Sequence, residues 1–521
     1  MPCGLPPGTR EQAVSNAGIL KLLANKSWVL LAYAAIVGLL GGCMRLQEVT
    51  GQDVYAQAPS SPAIPWRPPT KQEQITSLSM TNNLGVGAEQ TGKAVPPCSP
   101  GLTALPDPEK IYDLVDLIDL AQRTNPETCR AWEQARAAAA RLGLADSAYY
   151  PTLALVNAAG YSRVEDRGGA GPVYTVGPST TPQLTLRWTL LDFGRRDATF
   201  TRAAQQLLQM NFQFNRKHQE VAFAVQRSFY AFDASRARVV AALATLKTAT
   251  AVQSEAEARM NVGLATQPEV LLARQERARA AYEVEAARRG VEDARAALAE
   301  SLGIAPTLPL HVVELSTLTL PANLTESVEQ TIDRALAQRP DLAARLAALR
   351  AREAEIRKAR ADFLPTFSVV GSVGGTAGSF TAQTTNRTFD YAEPTYGTFL
   401  TFSWELFDGF ARRHAVREAE ARRDEAAADL SMLQLKMLRE VWKAYADVKV
   451  ALLQREYAEE LLKASQDAYD ATSKGYQAGL NSILELLTAE RDLARARMTE
   501  IESRADLLNA AAALAFAAGD L

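Results

Sequence analysis

The sequence predicts an α+β membrane protein with an internal duplication, in which each chain contributes four β-strands and two long α-helical hairpins. Three observations lead to this prediction. A series of motifs occurs twice with matched spacing, four segments alternate between apolar and polar residues, and two long stretches contain neither glycine nor proline. The first observation indicates two copies of one module, the second indicates strands, and the third indicates long helices.

The N-terminal segment has the pattern of a targeting signal. Two lysines precede an apolar run over residues 28–40 that is too short to span a bilayer comfortably. The run leads into Leu-Gly-Gly-Cys, which is similar to a bacterial lipobox. This predicts a lipoprotein signal peptide over residues 1–42, with Cys43 acylated (palmitate) as the first residue of the mature chain. The alternative is an ordinary signal peptide followed by an unrelated cysteine.

Residues 43–108 form an extended leader rich in Pro, Ser, Thr and Gln, a composition that argues against a core element. With Cys3 removed in the signal peptide and Cys43 acylated, Cys98 and Cys129 remain, and an oxidising compartment permits a disulfide bond between them. Two free buried thiols are the alternative, and the sequence leaves both open.

The body of the chain consists of two sequence repeats of about 215 residues, and a repeat of this length is too long to be the unit of a solenoid. Four motifs recur in the same order: Asn125-Pro126-Glu127 and Arg339-Pro340-Asp341, Tyr149-Tyr150-Pro151-Thr152 and Phe363-Leu364-Pro365-Thr366, Trp188 to Gly194 and Trp404 to Gly409, and Gly263-Leu264 and Gly479-Leu480. In both copies the step between the two prolines is 25 residues, and the step from the tryptophan to the glycine of the last motif is 75 residues. We assign residues 109–305 to the first repeat, residues 306–325 to a linker, and residues 326–521 to the second repeat.

Two segments in each repeat show the two-residue alternation of β-strands. They are residues 151–164, 181–192, 365–375 and 394–407. The alternating strands within these segments have roughly 9–11 residues each, a length typical of tilted strands that cross a bilayer with apolar side chains outward and polar side chains inward. The alternative is a soluble sandwich, which needs more than four strands. The intervening segments 165–180 and 376–393 are rich in glycine and threonine and are expected to be exposed connections.

An Asp-Gly break and then a very long helix follow each second strand. The strand–helix junctions are marked by Asp192, Gly194, Asp408 and Gly409, and the nearby Trp188 and Trp404 suit an aromatic girdle at a membrane interface. Helical hairpins are expected over residues 195–302 and 410–518, because residues 195–262 and 410–474 lack both glycine and proline. Helices of this length extend for roughly 100 Å. Gly263 and Gly479 fall at the turns between the two helices of each hairpin.

Four strands are too few to close a membrane barrel, since the smallest closed barrels have about eight. Exposed sheet edges do not persist in lipid, where no water satisfies the free backbone groups. If these strands cross a membrane, the barrel is therefore shared between chains, and three chains would supply twelve strands.

Taken together, these motifs resemble the TolC-type outer-membrane efflux proteins, in the branch whose members are lipoproteins. The resemblance covers about residues 110–518 and rests on the duplicated body, on the Trp-x-Leu-(Leu/Phe)-Asp junction, and on the Gly-Leu-x-(Thr/Ser) turn followed by Glu-(Val/Leu)-Leu. It implies a homotrimer with a twelve-stranded β-barrel in the outer membrane, continued by a long α-helical coiled-coil tunnel across the periplasm. The leader would then run from an anchor in outer-membrane lipid along the outside of the body.

The resemblance also implies a function and partners. A protein of this kind is the exit duct of a tripartite efflux or type I secretion system. It is a passive conduit that works with a periplasmic adaptor (membrane fusion) protein and an inner-membrane pump. The cargo is not encoded in any residue that the resemblance identifies.

A closable tip is the site that the resemblance assigns to the two hairpin turns. Gates in this family carry an acidic residue after the first turn and an aromatic plus a basic residue in the second, which correspond to Glu269, Tyr476 and Asn481 here. Because Asn481 is not basic, closure through hydrogen bonds is expected in place of a strong salt bridge. Glu485 matches a position that forms an acidic ring, which would favour cations. The alternative for all four residues is a solvated helix face.

Other functional classes find little support. The net charge of −3 provides no basic surface for nucleic acid. The scattered His218, His311 and His414 argue against a histidine metal site or a catalytic triad, so we expect no cofactor and no enzymatic activity. The glycine-rich segments 168–171 and 371–378 lack the Gly-Lys-Ser/Thr of a phosphate loop. The remaining alternative is a lipid-anchored periplasmic coiled-coil scaffold without a pore, which would have no use for lipid-facing strands.

Overall fold

The structure is a computed structural model that describes residues 54–68, 107–168, 171–313, 326–382 and 387–521. The predicted signal peptide, the predicted acylation site Cys43, most of the leader and Cys98 lie outside these residues.

The α-helices of the described residues occur as two sets of four in matching order. They are α1 (Leu114–Thr124), α2 (Pro126–Asp146), α3 (Arg195–Asn261), α4 (Gln267–Leu302), α5 (Val328–Gln338), α6 (Pro340–Ala361), α7 (Ala411–Gln477) and α8 (Ile483–Ala518). Helices α3 and α7 have 67 residues each, and α4 and α8 have 36 residues each. The duplication seen in the sequence is therefore present in the structure.

Local sequence explains why each repeat opens with a short helix, a break and a second helix. The Asp113 carboxylate accepts a hydrogen bond of 2.7 Å from the Asp116 N–H and begins α1, and Ser327 caps α5 in the same way. Pro126 and Pro340 then open α2 and α6, where the missing proline N–H is not needed. In α2 the Asn125 side chain also accepts from the Glu127 N–H at 2.8 Å.

The described strands are β1 (Ile111–Tyr112), β2 (Thr152–Gly168), β3 (Gly171–Leu191), β4 (His311–Val312), β5 (Thr366–Ala382) and β6 (Arg387–Ser403). Strands β1 and β4 form a short parallel pair that joins the start of the first repeat to the linker that follows it. The other four form one antiparallel sheet in the order β2-β3-β5-β6. This combination of long helical hairpins with a four-stranded sheet confirms the predicted fold class.

The central pairing of the sheet joins the two repeats, because β3 lies antiparallel to β5 with Leu184 opposite Val373. The outer edges of β2 and β6 carry no strand partner among the described residues. The sheet of a single chain is therefore open on both sides, and one chain does not close a barrel.

The strands are longer than the sequence analysis expected. Segments 165–180 and 376–393, assigned there to exposed connections, belong largely to strands, and the four strands contain 17, 21, 17 and 17 residues. The backbone hydrogen bonds between two adjacent antiparallel strands continue for as long as the two strands stay in register, whatever the side-chain pattern. At the other end β6 stops at Ser403, so Trp404 follows the strand instead of lying within the predicted segment 394–407.

Glycines in β5 allow the two repeats to approach closely. A Cβ atom on Gly374 would lie 2.4 Å from the Pro182 carbonyl oxygen, and one on Gly378 would lie 2.5 Å from the Pro178 carbonyl oxygen. No side chain fits at such distances, so these two glycines are required by the β3–β5 pairing. Gly371 in the same strand has room for a Cβ, whose nearest neighbour would be 3.8 Å away.

Residues 55–68 of the leader pack against α2 and α3. The Trp132 Nε1–H donates to the Pro59 carbonyl at 2.9 Å. The Asn215 side chain accepts from the Trp66 N–H at 2.7 Å and donates to the Trp66 carbonyl at 2.8 Å, and the Trp66 indole is buried. Cys129 of α2 is disulfide-bonded. Its pairing with Cys98 stays a prediction.

Helix α3 is the central packing element, in contact with α2, α4, α6 and α8. The apolar cluster where the short helices meet the long ones includes Leu117 of α1, Val225 and Phe229 of α3, and Leu298 of α4. Within the described ranges, no helix combines the length and the apolar character needed to cross a membrane.

Candidate functional site

The two hairpin turns have the same backbone structure. Gly263 and Gly479 adopt left-handed φ angles of +79° and +77°. In each turn the N–H of the following leucine reaches back to the last helical turn, from Leu264 to the Arg259 carbonyl and from Leu480 to the Gly475 carbonyl, both at 2.8 Å. This helix ending needs a residue with positive φ, which explains the two glycines. We call these turns and the adjoining helix ends the hairpin tip.

Glu269 and Glu485 occupy equivalent positions, three residues after the caps that begin α4 and α8. Glu269 Oε1 accepts from the Thr266 N–H at 3.4 Å and from its hydroxyl at 3.0 Å. Glu485 Oε2 accepts from the Ser482 N–H at 2.8 Å, and the Ser482 hydroxyl accepts from the Glu485 N–H at 3.3 Å. Both carboxylates thus stabilise the start of a helix. The sequences Thr-x-x-Glu and Ser-x-x-Glu carry this signal, which the sequence analysis did not use.

Tyr476 lies in an apolar cluster that joins the two hairpins. Its side chain is only 2% exposed. The cluster contains Val252 and Ala256 of α3, Val270 and Ala273 of α4, and Ile483, Leu486 and Leu487 of α8. Burial raises the pKa of the Tyr476 phenol, against the opposing effect of Arg259. The hydroxyl has no hydrogen-bond partner in the described part of the chain, so the ring supplies the contacts of this residue.

Arg259, near the end of α3, connects the first hairpin to the second. Its guanidinium lies 4.6 Å from the centre of the Tyr476 ring. Its Nη1 donates to the carbonyls of Tyr476 at 2.5 Å and Gln477 at 3.4 Å, at the C-terminal end of α7. A cation is favoured at this end of a helix, where carbonyls are unpaired and the dipole is negative. The sequence analysis missed Arg259, because an arginine in the last turn of its own helix does not indicate a contact with another helix.

Asn481 packs against its own hairpin. A Cβ on Gly475 would lie 2.6 Å from Asn481 Oδ1, and the Asn481 N–H donates to the Gly475 carbonyl at 3.3 Å. The structure therefore brings together Tyr476 and Arg259. Glu269 and Glu485 stay at the starts of their helices. The cation that contacts Tyr476 is Arg259, and the gate role of position 481 stays a prediction.

Each strand–helix junction carries an aspartate paired with an arginine four residues later. Asp192 accepts from the Arg196 N–H at 2.9 Å and from its Nε at 3.0 Å. Asp408 accepts from the Arg412 N–H and Nε at 2.9 Å and 2.7 Å. The Arg412 N–H lowers the pKa of the Asp408 carboxyl. These pairs begin the two long helices.

The backbone at both junctions turns through two successive left-handed residues. They are Phe193 and Gly194 in the first repeat, with φ of +51° and +95°, and Gly409 and Phe410 in the second, with φ of +68° and +72°. The glycine occupies the second position of the turn in one repeat and the first in the other, and a phenylalanine takes the remaining left-handed position in each.

The two junction tryptophans bind the short segments that connect α2 to β2 and α6 to β5. The Trp188 indole N–H donates to the Tyr149 carbonyl at 2.9 Å, and the Trp404 indole N–H donates to the Phe363 carbonyl at 3.0 Å. The remainder of each ring is exposed in the single chain. The girdle role stays a prediction.

Comparison with known proteins gives consistent matches over the body of the chain. Residues 117–304 and 331–520 match the family described as outer membrane efflux protein. The chain is 30% identical to Protein CyaE of Bordetella pertussis over 443 residues, which cover 82% of this chain and 89% of that protein.

Solved structures with the same fold include two outer-membrane proteins. The outer-membrane channel OprN matches with a TM-score of 0.69 and 22% identity, over 78% of this chain and 89% of that one. The outer membrane protein VceC of Vibrio cholerae matches with a TM-score of 0.67 and 20% identity, over 78% of this chain and 96% of that one. At these identities the likeness concerns the fold.

Proposed function

The chain belongs to the outer membrane efflux protein family, and we propose that three copies of it form an exit duct that crosses the outer membrane and extends into the periplasm. The observation that carries this proposal is the four-stranded sheet with two open edges, attached to two helices of 67 residues. Lipid does not tolerate such edges. Pairing β2 of one chain with β6 of the next would remove them and close a barrel of twelve strands.

Exposed apolar side chains on the sheet support a position in lipid. In the single chain Leu153 and Leu155 of β2, and Tyr396 and Leu400 of β6, are all exposed, and within each strand the two side chains share one face of the sheet. Contiguous apolar surface of this kind is rare on monomeric soluble proteins. A periplasmic scaffold without a pore would have no use for this surface.

Exposed apolar side chains on the long helix α7 support the trimer. Met432, Leu435, Trp442 and Tyr457 are exposed in the single chain. Contact with α3 or α7 of neighbouring copies would cover them and form the wall of a helical tunnel. Such a duct is passive. We expect an inner-membrane pump to drive transport and a periplasmic adaptor to join the pump to the duct. The pump would then determine the class of cargo.

Two measurements test the duct. Detergent-solubilised protein should have the mass of a trimer by light scattering, and it should conduct ions in planar bilayers. A stable monomer that needs no detergent would contradict the proposal.

We propose that the duct is closed at the hairpin tip and that Glu485 lines the constriction. Three copies of this carboxylate near one axis would bind divalent cations. Glu269→Ala is the matched control, because Glu269 makes the equivalent capping contacts in the other hairpin. Both substitutions should cost about 0.5–1 kcal/mol through the helix start, whereas only Glu485→Ala should abolish divalent block. Equal divalent block in Glu485→Ala and wild type would remove Glu485 from the pore.

Anchoring is a separate proposal. Acylation of Cys43 would tether the mature N-terminus to the outer membrane, and Met44 is not an acidic retention signal. Mass spectrometry of the purified protein should find an acylated N-terminus at residue 43, and Cys43→Ser should lose it. An unmodified terminus at another residue would contradict this assignment.

A further inference from the structure

A cavity of about 570 Å³ lies between the two hairpins, where α8 meets α3 and α4. Its wall includes Thr245 of α3, Glu276 and Arg279 of α4, and Glu490 and Arg491 of α8. Glu490 lies about two helical turns beyond the start of α8, so the cavity adjoins the hairpin tip. It is partly open to solvent, which gives water and protons a path to these side chains.

Glu490 is the unusual residue of this cavity. Its side chain is 3% exposed, and neither carboxylate oxygen has a hydrogen-bond partner in the ranges that the structure describes. A buried carboxylate without a partner is strongly unfavourable when ionised, and it takes up a proton instead. Burial, together with the nearby Glu276, raises the pKa of Glu490 to about 7, against the weaker opposing effects of Arg491 and Arg497.

Glu276, by contrast, forms an ion pair with an arginine. Arg491 of the second hairpin donates from Nη2 to Glu276 Oε2 of the first hairpin at 2.5 Å. Arg279 lies farther away, with Nη1 3.8 Å from Glu276 Oε1. The Glu276–Arg491 pair is thus a second link between the hairpins, separate from Arg259 and Tyr476. It occurs next to a carboxyl that has no such partner.

The other charged and titratable groups around Glu490 do not compensate it. On α4, Arg279 pairs with Glu283 at 3.0 Å. On α8, Arg497 donates to Gln466 of α7 at 3.2 Å, and Arg495 lies 3.8 Å from Asp492. From α7, Tyr469 faces Glu490, and its own pKa is raised by burial and by that carboxyl. The side chains that α3 contributes to the cavity wall, Ala242 and Thr245, are not titratable.

We propose that Glu490 is a proton-operated element of the hairpin tip: with a proton bound it lets Glu276 and Arg491 hold the two hairpins together, and without the proton it drives them apart. The proposal deepens, and rests on, the proposed exit duct with a closable tip. The proton comes from solvent through the open part of the cavity. When Glu490 ionises, its charge repels Glu276 and requires hydration, and separation of α4 from α8 supplies both distance and water.

The direction of the pH effect follows from linkage. A hydrated carboxyl in the separated state has the ordinary pKa of 4.5, and the joined state has a pKa of about 7. The stability of the joined state relative to the separated state is therefore greatest below pH 4.5, falls as the pH rises to about 7, and changes no further above that. Between pH 5 and pH 7 the ratio of separated to joined hairpins should rise by more than about tenfold.

Distances between labels at the two turns test this inference. Spin labels on Leu264→Cys and Leu480→Cys, which replace side chains 70% and 83% exposed, report the separation of the hairpins in the full-length protein. The separated population should grow between pH 5 and pH 7. Glu490→Gln, which resembles the protonated form, should keep the joined population at every pH. Arg491→Met should show the separated population throughout.

Asp506→Asn is the matched control, since this exposed carboxylate lies on the same helix outside the cavity, and it should titrate like wild type. A wild-type distance that does not change with pH, or a Glu490→Gln variant that titrates like wild type, would overturn the proposal. Conductance in planar bilayers should follow the same pH dependence. Absence of conductance at every pH would instead contradict the exit duct, while the label distances would still decide the role of Glu490.

Discussion

Arg259→Ala is the substitution that tests most directly how the two hairpins are held together in the proposed closed tip. Arg259 is the residue of the first hairpin that binds the C-terminal carbonyls of α7 and stacks on the Tyr476 ring. Its removal should favour separation of the two hairpins without unfolding either of them. Each hairpin keeps its own turn, because the Gly263 and Gly479 hydrogen bonds do not involve this side chain.

The magnitude follows from the contacts that are lost. A hydrogen bond from a charged donor contributes about 1.5–3 kcal/mol, and a partly exposed cation over an aromatic ring about 0.5–1 kcal/mol. The Tyr476 carbonyl keeps the Gly479 N–H as a donor at 3.0 Å, so its loss of Arg259 leaves no unpaired group. We therefore expect the contacts of Arg259 to contribute near the lower end of these ranges, about 2 kcal/mol per chain. This free energy corresponds to about a 30-fold change in the equilibrium between joined and separated hairpins.

The assay is resting conductance in planar bilayers, with the label distance between positions 264 and 480 as a second reading. Arg274→Ala is the matched control. Arg274 also lies near the hairpin tip, but its Nε and Nη2 donate to Glu257 at 3.0 Å and 2.8 Å within the first hairpin. It should leave both readings unchanged. Arg259→Lys should give an intermediate effect, because it keeps the charge and loses the planar fork.

Two results would refute the reasoning. If Arg259→Ala conducts like wild type and keeps the wild-type distance, the contacts with α7 do not hold the tip closed. If Arg274→Ala has an equal effect, the loss of any guanidinium near the tip explains the change, and the bridge between hairpins is not its cause.

Three further predictions concern the tip, the leader and the sheet. Tyr476→Phe should leave the stability of the closed tip unchanged or slightly increase it, because the lost hydroxyl is buried without a partner in the described residues. Tyr476→Ala should destabilise the closed tip by about 3–5 kcal/mol, which resting conductance would detect. Burial lowers the pKa of His218, beside Pro62 of the leader, from 6.5 to about 4. Since the neutral imidazole fits the folded site, proteolysis of residues 55–68 should increase as the pH falls from 6.5 through about 4, and His218→Gln should flatten that dependence. Gly374→Ala should reduce the yield of heat-resistant trimer on gels, because its Cβ would meet the Pro182 carbonyl, and Gly371→Ala should not.

Local chemistry made much of the fold predictable from sequence. Proline and capping residues mark the starts of the short helices, and glycine with positive φ marks the ends of the long ones. The strand limits were wrong where hydrogen bonding between chain segments, not side-chain pattern, extends the hairpins through 165–180 and 376–393. The two turns that the family resemblance assigned to the gate are present at Gly263 and Gly479, their role in gating stays a prediction, and the two glutamates assigned to the gate cap helices there.

The sequence by itself determined the duplication, the order of the elements and the positions of the turns, because helix ends, strand alternation and repeats depend on neighbours within a few residues along the chain. Only the tertiary structure decided which side chains meet between the hairpins. Arg259 and Tyr476, and likewise Glu276 and Arg491, are more than two hundred residues apart in the chain and come together because long helices pack along their length. The same packing buries Glu490 without a partner. Its charge state is therefore a property of the assembled hairpins that no local pattern in the sequence encodes.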